Sequence, residues 1–419
     1  MVAYGGDEVN ALVLDIGTSS VRAGYAGEDT PRCMFPTRFG YLEQGQQQDG
    51  EDVSMDMKRQ YYIGDNKINK LKSHMEIRHP LKDGIIEDWE AMENIWEETF
   101  RSMLSIQPEE HPLLCTEPAW NTTENREKAI ELAFEKFAFP AFYLAQDAVM
   151  TAFSVGRGTA LVLDSGAGVT SVVPVYEGYV LKKGILHQPV AGDMLADQIK
   201  QYLEKELNYK VTPHYTIAKK EAVEAGQQPQ IELKSLDGVT ESFHDYQVNR
   251  VLNEYKETLC EVSNVTFDES QLESKPKKLF EFPDGYHKEF GIERLKMSEL
   301  FFQPKLVLDQ ETNYLGAHEM IYNSASSCDA DLRPLLLNNI VITGGNTLLN
   351  GFTERLNHEL PIKAPGSKIK IHASGNTVER KSGSWLGGSI LASLGTFHQL
   401  WISRKEYEEH GKSIIHRKL

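Results

Sequence analysis

Cysteine is scarce: four residues in 419, at Cys33, Cys115, Cys260 and Cys328, with no CxxC pair among them. So few thiols, so widely spaced, exclude a disulfide framework for a chain this long and read as free thiols of a reducing compartment; they also offer no zinc motif. No apolar stretch approaches the ~18 residues needed to span a bilayer. Met1 to Asn10 has neither a basic start nor an apolar run, so no secretory leader is expected. Basic charge is in deficit as well, with 44 Lys and Arg against 61 Asp and Glu and a net charge of -17. An acidic surface repels phosphate backbones, so little direct DNA binding is expected, whereas a basic protein partner such as a histone suits it. The run Lys275-Pro276-Lys277-Lys278 is too short to reverse that balance and reads as a solvated loop rather than an import signal.

What is present is globular composition, 40% hydrophobic and 25% charged, at a length that calls for more than one core. The most informative feature is an internal echo. Ala11-Leu-Val-Leu-Asp15-Ile-Gly17 returns as Ala160-Leu-Val-Leu-Asp164-Ser-Gly166. Each copy is an apolar run, an Asp-x-Gly turn with small polar neighbours, and a second apolar run, Val21 to Ala26 or Val169 to Val175. That pattern predicts two β-hairpins and two similarly built α/β halves. A third glycine turn, Gly344-Gly345, follows the apolar run Ile340 to Thr343, and the spacing of Leu348, Leu349, Phe352 and Leu356 predicts a helix after it. Helices are also predicted over Glu90 to Leu104 and over Asn125 to Phe137, the latter capped by Thr122 or Thr123. Gln44 to Lys58 and Ala225 to Asp245 are polar and read as surface insertions, the second interrupting a helical region.

One Asp-x-Gly is the ordinary turn of a hairpin. Two matched copies and a third glycine turn point to phosphate, because Gly, Ser and Thr let main-chain N–H groups approach it closely. The donors would come from Asp15, Gly17, Thr18, Ser19 and Ser20 with Arg22, and from Asp164, Gly166, Ala167, Gly168 and Val169 on the other half. Asp15 and Asp164 would then face each other and hold magnesium through its waters, since that ion dehydrates reluctantly.

Beyond these turns the chain resembles actin and the actin-related proteins along nearly its whole length. The resemblance is carried by Arg22-Ala-Gly-Tyr-Ala-Gly27, Trp89 to Phe100, Glu109 to Leu114, Asp164-Ser-Gly166, Val175 to Tyr179, Phe282-Pro-Asp-Gly285, Trp385 to Leu394 and Trp401 to Tyr407. Within the family, Tyr4 to Val9 and Glu117-Pro-Ala-Trp-Asn121 are most similar to the nuclear actin-related proteins shared by chromatin remodelling and histone acetyltransferase assemblies. It implies a two-lobed α/β fold of the actin, sugar-kinase and heat-shock ATPase type, built from duplicated ribonuclease-H-like domains around a nucleotide cleft. Its four subdomains would be residues 1–36, 80–154 and 383–419; 37–79; 155–190 and 310–382; and 191–309. ATP would further be contacted by Gly192, Lys256 and Glu257, by Gly344, Gly345 and Leu348, and by Lys381.

The resemblance also implies departures. The glutamine that places the attacking water in the family aligns with Asp147, while Gln146, one position away, would face elsewhere on a helix. A histidine serving the same water aligns with Ser171, an aspartate with Ala167 and a glycine with Ser19. Slow or absent hydrolysis is therefore expected, an active ATPase being the alternative; a sugar kinase on the same cleft is disfavoured by the actin-like C-terminus. Phe153, Ile390, Leu391 and Leu394 would line a groove for the helicase–SANT-associated helix of a remodeller or acetyltransferase scaffold, with nuclear actin alongside. The acidic, polar Gln44 to Lys58 segment replaces the loop by which actin enters its neighbour, so no filament of this chain alone is expected, and the expected compartment is the nucleus.

Overall fold

The echo in the sequence becomes an echo in topology. The structure, a computed structural model, describes residues 10–44, 58–272, 274–308 and 312–419; the N-terminal Tyr4 to Val9 motif and most of the polar Gln44 to Lys58 segment lie outside them. The first copy forms an antiparallel hairpin, Leu12–Ile16 with Ser20–Tyr25, in which Asp15 pairs with Arg22. On its other side Leu12–Ile16 runs parallel to Leu113–Glu117, which runs parallel to Ala141–Gln146. The second copy repeats this order. Ala160–Ser165 pairs antiparallel with Thr170–Tyr176, placing Asp164 against Ser171, and runs parallel to Ile340–Thr343, then Ile371–His372. Each hairpin thus sits in its own six-stranded sheet.

Apolar residues fill these strands on both faces because helices cover both. One core lies behind each sheet, around Trp96, Phe134 and Phe142 in the first lobe and around Leu195, Leu252 and Leu356 in the second. A third core joins the lobes: Val13 and Leu114 from the first sheet, Val162 and Val341 from the second, and the helices Asp147–Ser154 and Gly383–Ser393 between them. Those helices touch closely enough that a Cβ on Gly387 would meet the Met150 carbonyl oxygen at 1.7 Å. Together they form the floor of the space between the sheets.

Local chemistry starts the other predicted helices near their expected positions. Asp88 accepts from the Ala91 N–H at 3.0 Å to start Trp89–Glu97, and Thr122 accepts from the Asn125 N–H at 3.2 Å to start Thr123–Glu131. Two expectations are corrected. No helix begins at Leu348; a tight turn, Gly345–Leu348, comes first, and Gly351 at φ 87° delays the helix to Phe352–Lys363. Nor is Ala225 to Asp245 an insertion within a helix: Gln230–Leu233 pairs with Ile217–Glu221 as a hairpin, and Thr240 caps the helix Glu241–Leu259. The alternation there is short and exposed, so apolar periodicity gave no strand signal. The four cysteines are unpaired, and all but Cys33 are buried. No helix among the described residues is long and apolar enough to cross a membrane.

Candidate functional site

A cleft of about 530 Å³ opens between the two hairpins. Both turns close identically: the Gly17 N–H donates to the Ser20 carbonyl at 3.1 Å and the Gly166 N–H to the Val169 carbonyl at 3.0 Å. They approach each other so nearly that a Cβ on Gly168 would lie 2.8 Å from the Thr18 side chain. The third glycine turn is bound to the second hairpin. Asn346 Nδ2 donates to the Gly166 carbonyl at 2.6 Å and to Ser165 Oγ at 3.1 Å. Gly344, at φ 90°, sits where a Cβ would be 2.3 Å from the Ser165 carbonyl oxygen, so only glycine fits.

Of the residues singled out in the sequence, Asp15, Gly17, Thr18, Ser19, Ser20 and Arg22 line the cleft from the first hairpin. Asp164, Gly166, Ala167 and Val169 line it from the second, and Lys256, Glu257, Gly344, Gly345 and Lys381 complete one end. Three do not line it. Gly168 is turned against Thr18, and Gly192 sits behind the second turn, its N–H given to the Gly166 carbonyl at 3.0 Å. Leu348 closes the tight turn, which brings Leu349 to the cleft in its place.

The electrostatics are those of crowded carboxylates. Asp15 is buried between Arg22, at 2.7 Å, and the Thr116 hydroxyl, at 2.7 Å. Burial pushes the Asp164 carboxyl up to about 6, with Arg22 opposing the shift and Asp15 adding to it. Asp147 is raised well above its ordinary value by burial and then by the charge of Asp164; one of its oxygens accepts the Ala148 N–H at 2.6 Å at the start of its helix. Asp147 lines the cleft and Gln146 does not. Lys256, lowered by burial, donates to the Gly192 carbonyl at 3.2 Å.

Hard oxygen donors that repel one another suit a divalent cation. Among the described residues no group of three or more His, Cys, Asp or Glu is arranged to hold a metal. Asp15 and Asp164 thus offer oxygens of the kind a divalent cation takes but form no protein-only cage among the described residues. Such an ion would supply neutralisation of phosphate charge.

Several lining residues went unassigned in the sequence: Thr116, Glu117, Thr151, Asp193, Arg250 and Asn346. Arg250 and Asn253 precede Lys256 and Glu257 by one to two helical turns, so helical spacing held the signal. Thr116 and Glu117 end a strand parallel to Leu12–Ile16, a position visible only once the sheet order is known. Away from the cleft, Ile390 and Leu394 are 37% and 42% exposed at the end of the floor helix, while Phe153 and Leu391 are half-buried against the inter-lobe core.

Comparison with known proteins agrees with this architecture. The family model described as Actin matches residues 6–419. An actin-related protein 4 of Yarrowia lipolytica is 42% identical over 98% of this chain and 96% of its own length. Those of Schizosaccharomyces pombe, at 40%, and Arabidopsis thaliana, at 38%, match over at least 97% of both chains. With two matched hairpins, a shared cleft and relatives of this identity along its length, the chain belongs to the actin family, among the actin-related proteins 4.

Proposed function

We propose that this chain binds magnesium–ATP in the inter-lobe cleft, hydrolyses it slowly or not at all, and serves as a structural subunit of nuclear chromatin remodelling and histone acetyltransferase complexes. The observation that carries the reading is the pairing of two equivalent Asp-x-Gly turns across one cleft with Asp147 beside them. Main-chain N–H groups of the turns, with Arg22 and Lys256, offer donors for phosphate, and Asp15 and Asp164 the oxygens for its cation. The Lys256, Glu257 and Lys381 end, with Leu349 and the Gly344-Gly345 turn, suits the nucleoside.

Hydrolysis also needs a positioned water. A carboxyl at Asp147, whose charged form burial and the charge of Asp164 disfavour, does not offer the neutral amide of a glutamine for one. Ser171, buried and paired to Asp164, is short of the length of a histidine. ATP then acts as a ligand that favours the closed, folded form, because binding only to the native state stabilises it. Phosphate release by the purified chain with magnesium–ATP checks this. Turnover far below that of filamentous actin is expected, and turnover comparable to it, lost on Asp164→Ala, would restore the active-ATPase reading.

The partner side of the proposal rests on Ile390 and Leu394, apolar and exposed beside Phe153 and Leu391. Such a surface accepts the apolar face of an amphipathic helix, here the helicase–SANT-associated helix of a scaffold with nuclear actin bound alongside. Leu394→Asp should lower capture of that helix by at least tenfold, roughly the transfer energy of one buried leucine, with ATP affinity unchanged. Undiminished capture in a pull-down would remove the groove from the account.

A further inference from the structure

The Glu117-Pro-Ala-Trp-Asn121 segment lines the cleft at Glu117, Pro118 and Trp120 and also reaches across it. Trp120 follows the first-lobe strand Leu113–Glu117, and its ring lies flat on His187 of the second lobe, with centroids 4.4 Å apart and planes at 7°. His187 sits on Leu186–Gln188, paired to Ser171, which is itself paired to Asp164. The stack is thus the end of a row of three residues running straight across the sheet from the cleft carboxylate. On its other side Trp120 holds a turn: its Nε1 donates to the Asp83 carbonyl at 2.9 Å, and a Cβ on Gly84 would lie 3.3 Å from the ring. Asp83 and Gly84, both left-handed at φ 51° and 77°, are the two-residue loop of the hairpin Leu81–Lys82 with Ile85–Ile86, a turn that Asp-Gly suits, so Trp120 rests on a well-formed first-lobe hairpin.

The arm that carries Trp120 is stiff. Glu117, buried, accepts from Asn121 at 2.9 Å and from Arg126 at 3.1 Å, which ties the loop to the first lobe on both sides of the ring. His187, by contrast, is exposed apart from the stack. Besides the helix floor, the touch of Thr18 on Gly168 and the packing of Met75 and Ile77 against Phe243, where Thr240 also donates to the Met75 carbonyl, this is a further crossing between lobes, and it joins rigid segments of both.

We propose that Trp120 is a clasp: its stack on His187 holds the two lobes together and must part before the cleft can release its ligand, so that it sets the residence time of bound nucleotide. This rests on the nucleotide reading above but has a readout of its own. Trp120→Ala, His187→Ala, the double variant and His187→Phe would be made in the full chain. Two quantities would be followed: dissociation of a fluorescent ATP analogue with magnesium, and amide hydrogen exchange at 83–86 and 186–188 in protein without nucleotide. An aromatic stack of ordinary strength predicts that both alanine variants speed dissociation roughly three- to tenfold. The double variant should be no faster than the faster single one, exchange in both segments should rise, and His187→Phe, which keeps a ring, should stay near the parent. Because His187 is exposed, its replacement leaves folding intact even if Trp120→Ala does not. Unchanged dissociation in His187→Ala, or effects that multiply in the double variant, would overturn the clasp. If the parent chain binds no analogue, the ATP reading falls instead, and unaltered exchange at 186–188 in His187→Ala would then overturn the clasp by itself.

Discussion

Asp164→Asn is expected to make the ligand-free chain more stable and, at the same time, a much poorer nucleotide binder. The Asp164 carboxyl is raised from an ordinary 3.8 to about 6, first by burial and then by Asp15, so the folded chain holds this proton more tightly than the unfolded one. Between those two values the native state binds more protons, and stability falls as pH rises through the window. The penalty is complete above about 6 and gone below about 3.8. Asparagine removes it. The thermal midpoint of the ligand-free variant should therefore exceed that of the parent at neutral pH, and the gain should shrink to nothing near pH 4, by about the linkage that the shift implies. Magnesium–ATP affinity should fall on the order of 10- to 100-fold, as expected for loss of a charged hydrogen-bonding partner. Without magnesium the same change should leave affinity equal or higher, since a negative charge facing phosphate has gone. A variant that lost stability at neutral pH would place Asp164 in a structural role and contradict the site.

The second large effect is expected far from any ligand contact. Gly387→Ala adds one methyl group where the Met150 carbonyl oxygen would lie 1.7 Å away, at the crossing of Asp147–Ser154 and Gly383–Ser393. A backbone carbonyl within a helix cannot swing aside as a side-chain tip can, so the helices must separate. Overpacking of this kind costs about 3 kcal/mol at the upper end of its usual range. The crossing is also the floor between the lobes, so the cleft should widen and nucleotide affinity should fall with stability. Gly388→Ala is the internal control. Its Cβ would meet only Val13 Cγ1 and Leu114 Cδ2, at 3.0 and 3.1 Å, which are tips that can shift. Urea unfolding of the two variants should separate them clearly; equal costs would mean that the helices do not pack as described.

How much of this was legible in the sequence follows from what each signal measures. The duplicated hairpins were legible because short continuous apolar runs and Asp-x-Gly turns are local, and Asp15 and Asp164 came with them. Gly344 was legible for the same reason, as a turn after a buried strand. Leu348 was misplaced because apolar spacing is the same whether a segment opens as a tight turn or as a helix; the left-handed Gly351 decides between them, and a lone glycine in a helical pattern is a weak signal. Gly168 was assigned to the ligand because glycine suits phosphate, and Gly192 because the resemblance implied it; here both sit at close approaches of protein to protein, Gly168 against Thr18 and Gly192 against Lys256 and Asn346. Thr116 and Glu117 end, and Trp120 follows, a strand whose place beside Leu12–Ile16 is set by long-range pairing, which no local pattern encodes.

Native purification of the full chain, followed by quantification of the nucleotide released on denaturation and by titration of its thermal midpoint with magnesium–ATP, tests the cleft most directly. About one adenine nucleotide per chain is expected, predominantly ATP, with a midpoint that climbs with added magnesium–ATP as native-state binding requires. A chain that emerges without nucleotide, and whose midpoint is unmoved by millimolar magnesium–ATP, would contradict that expectation.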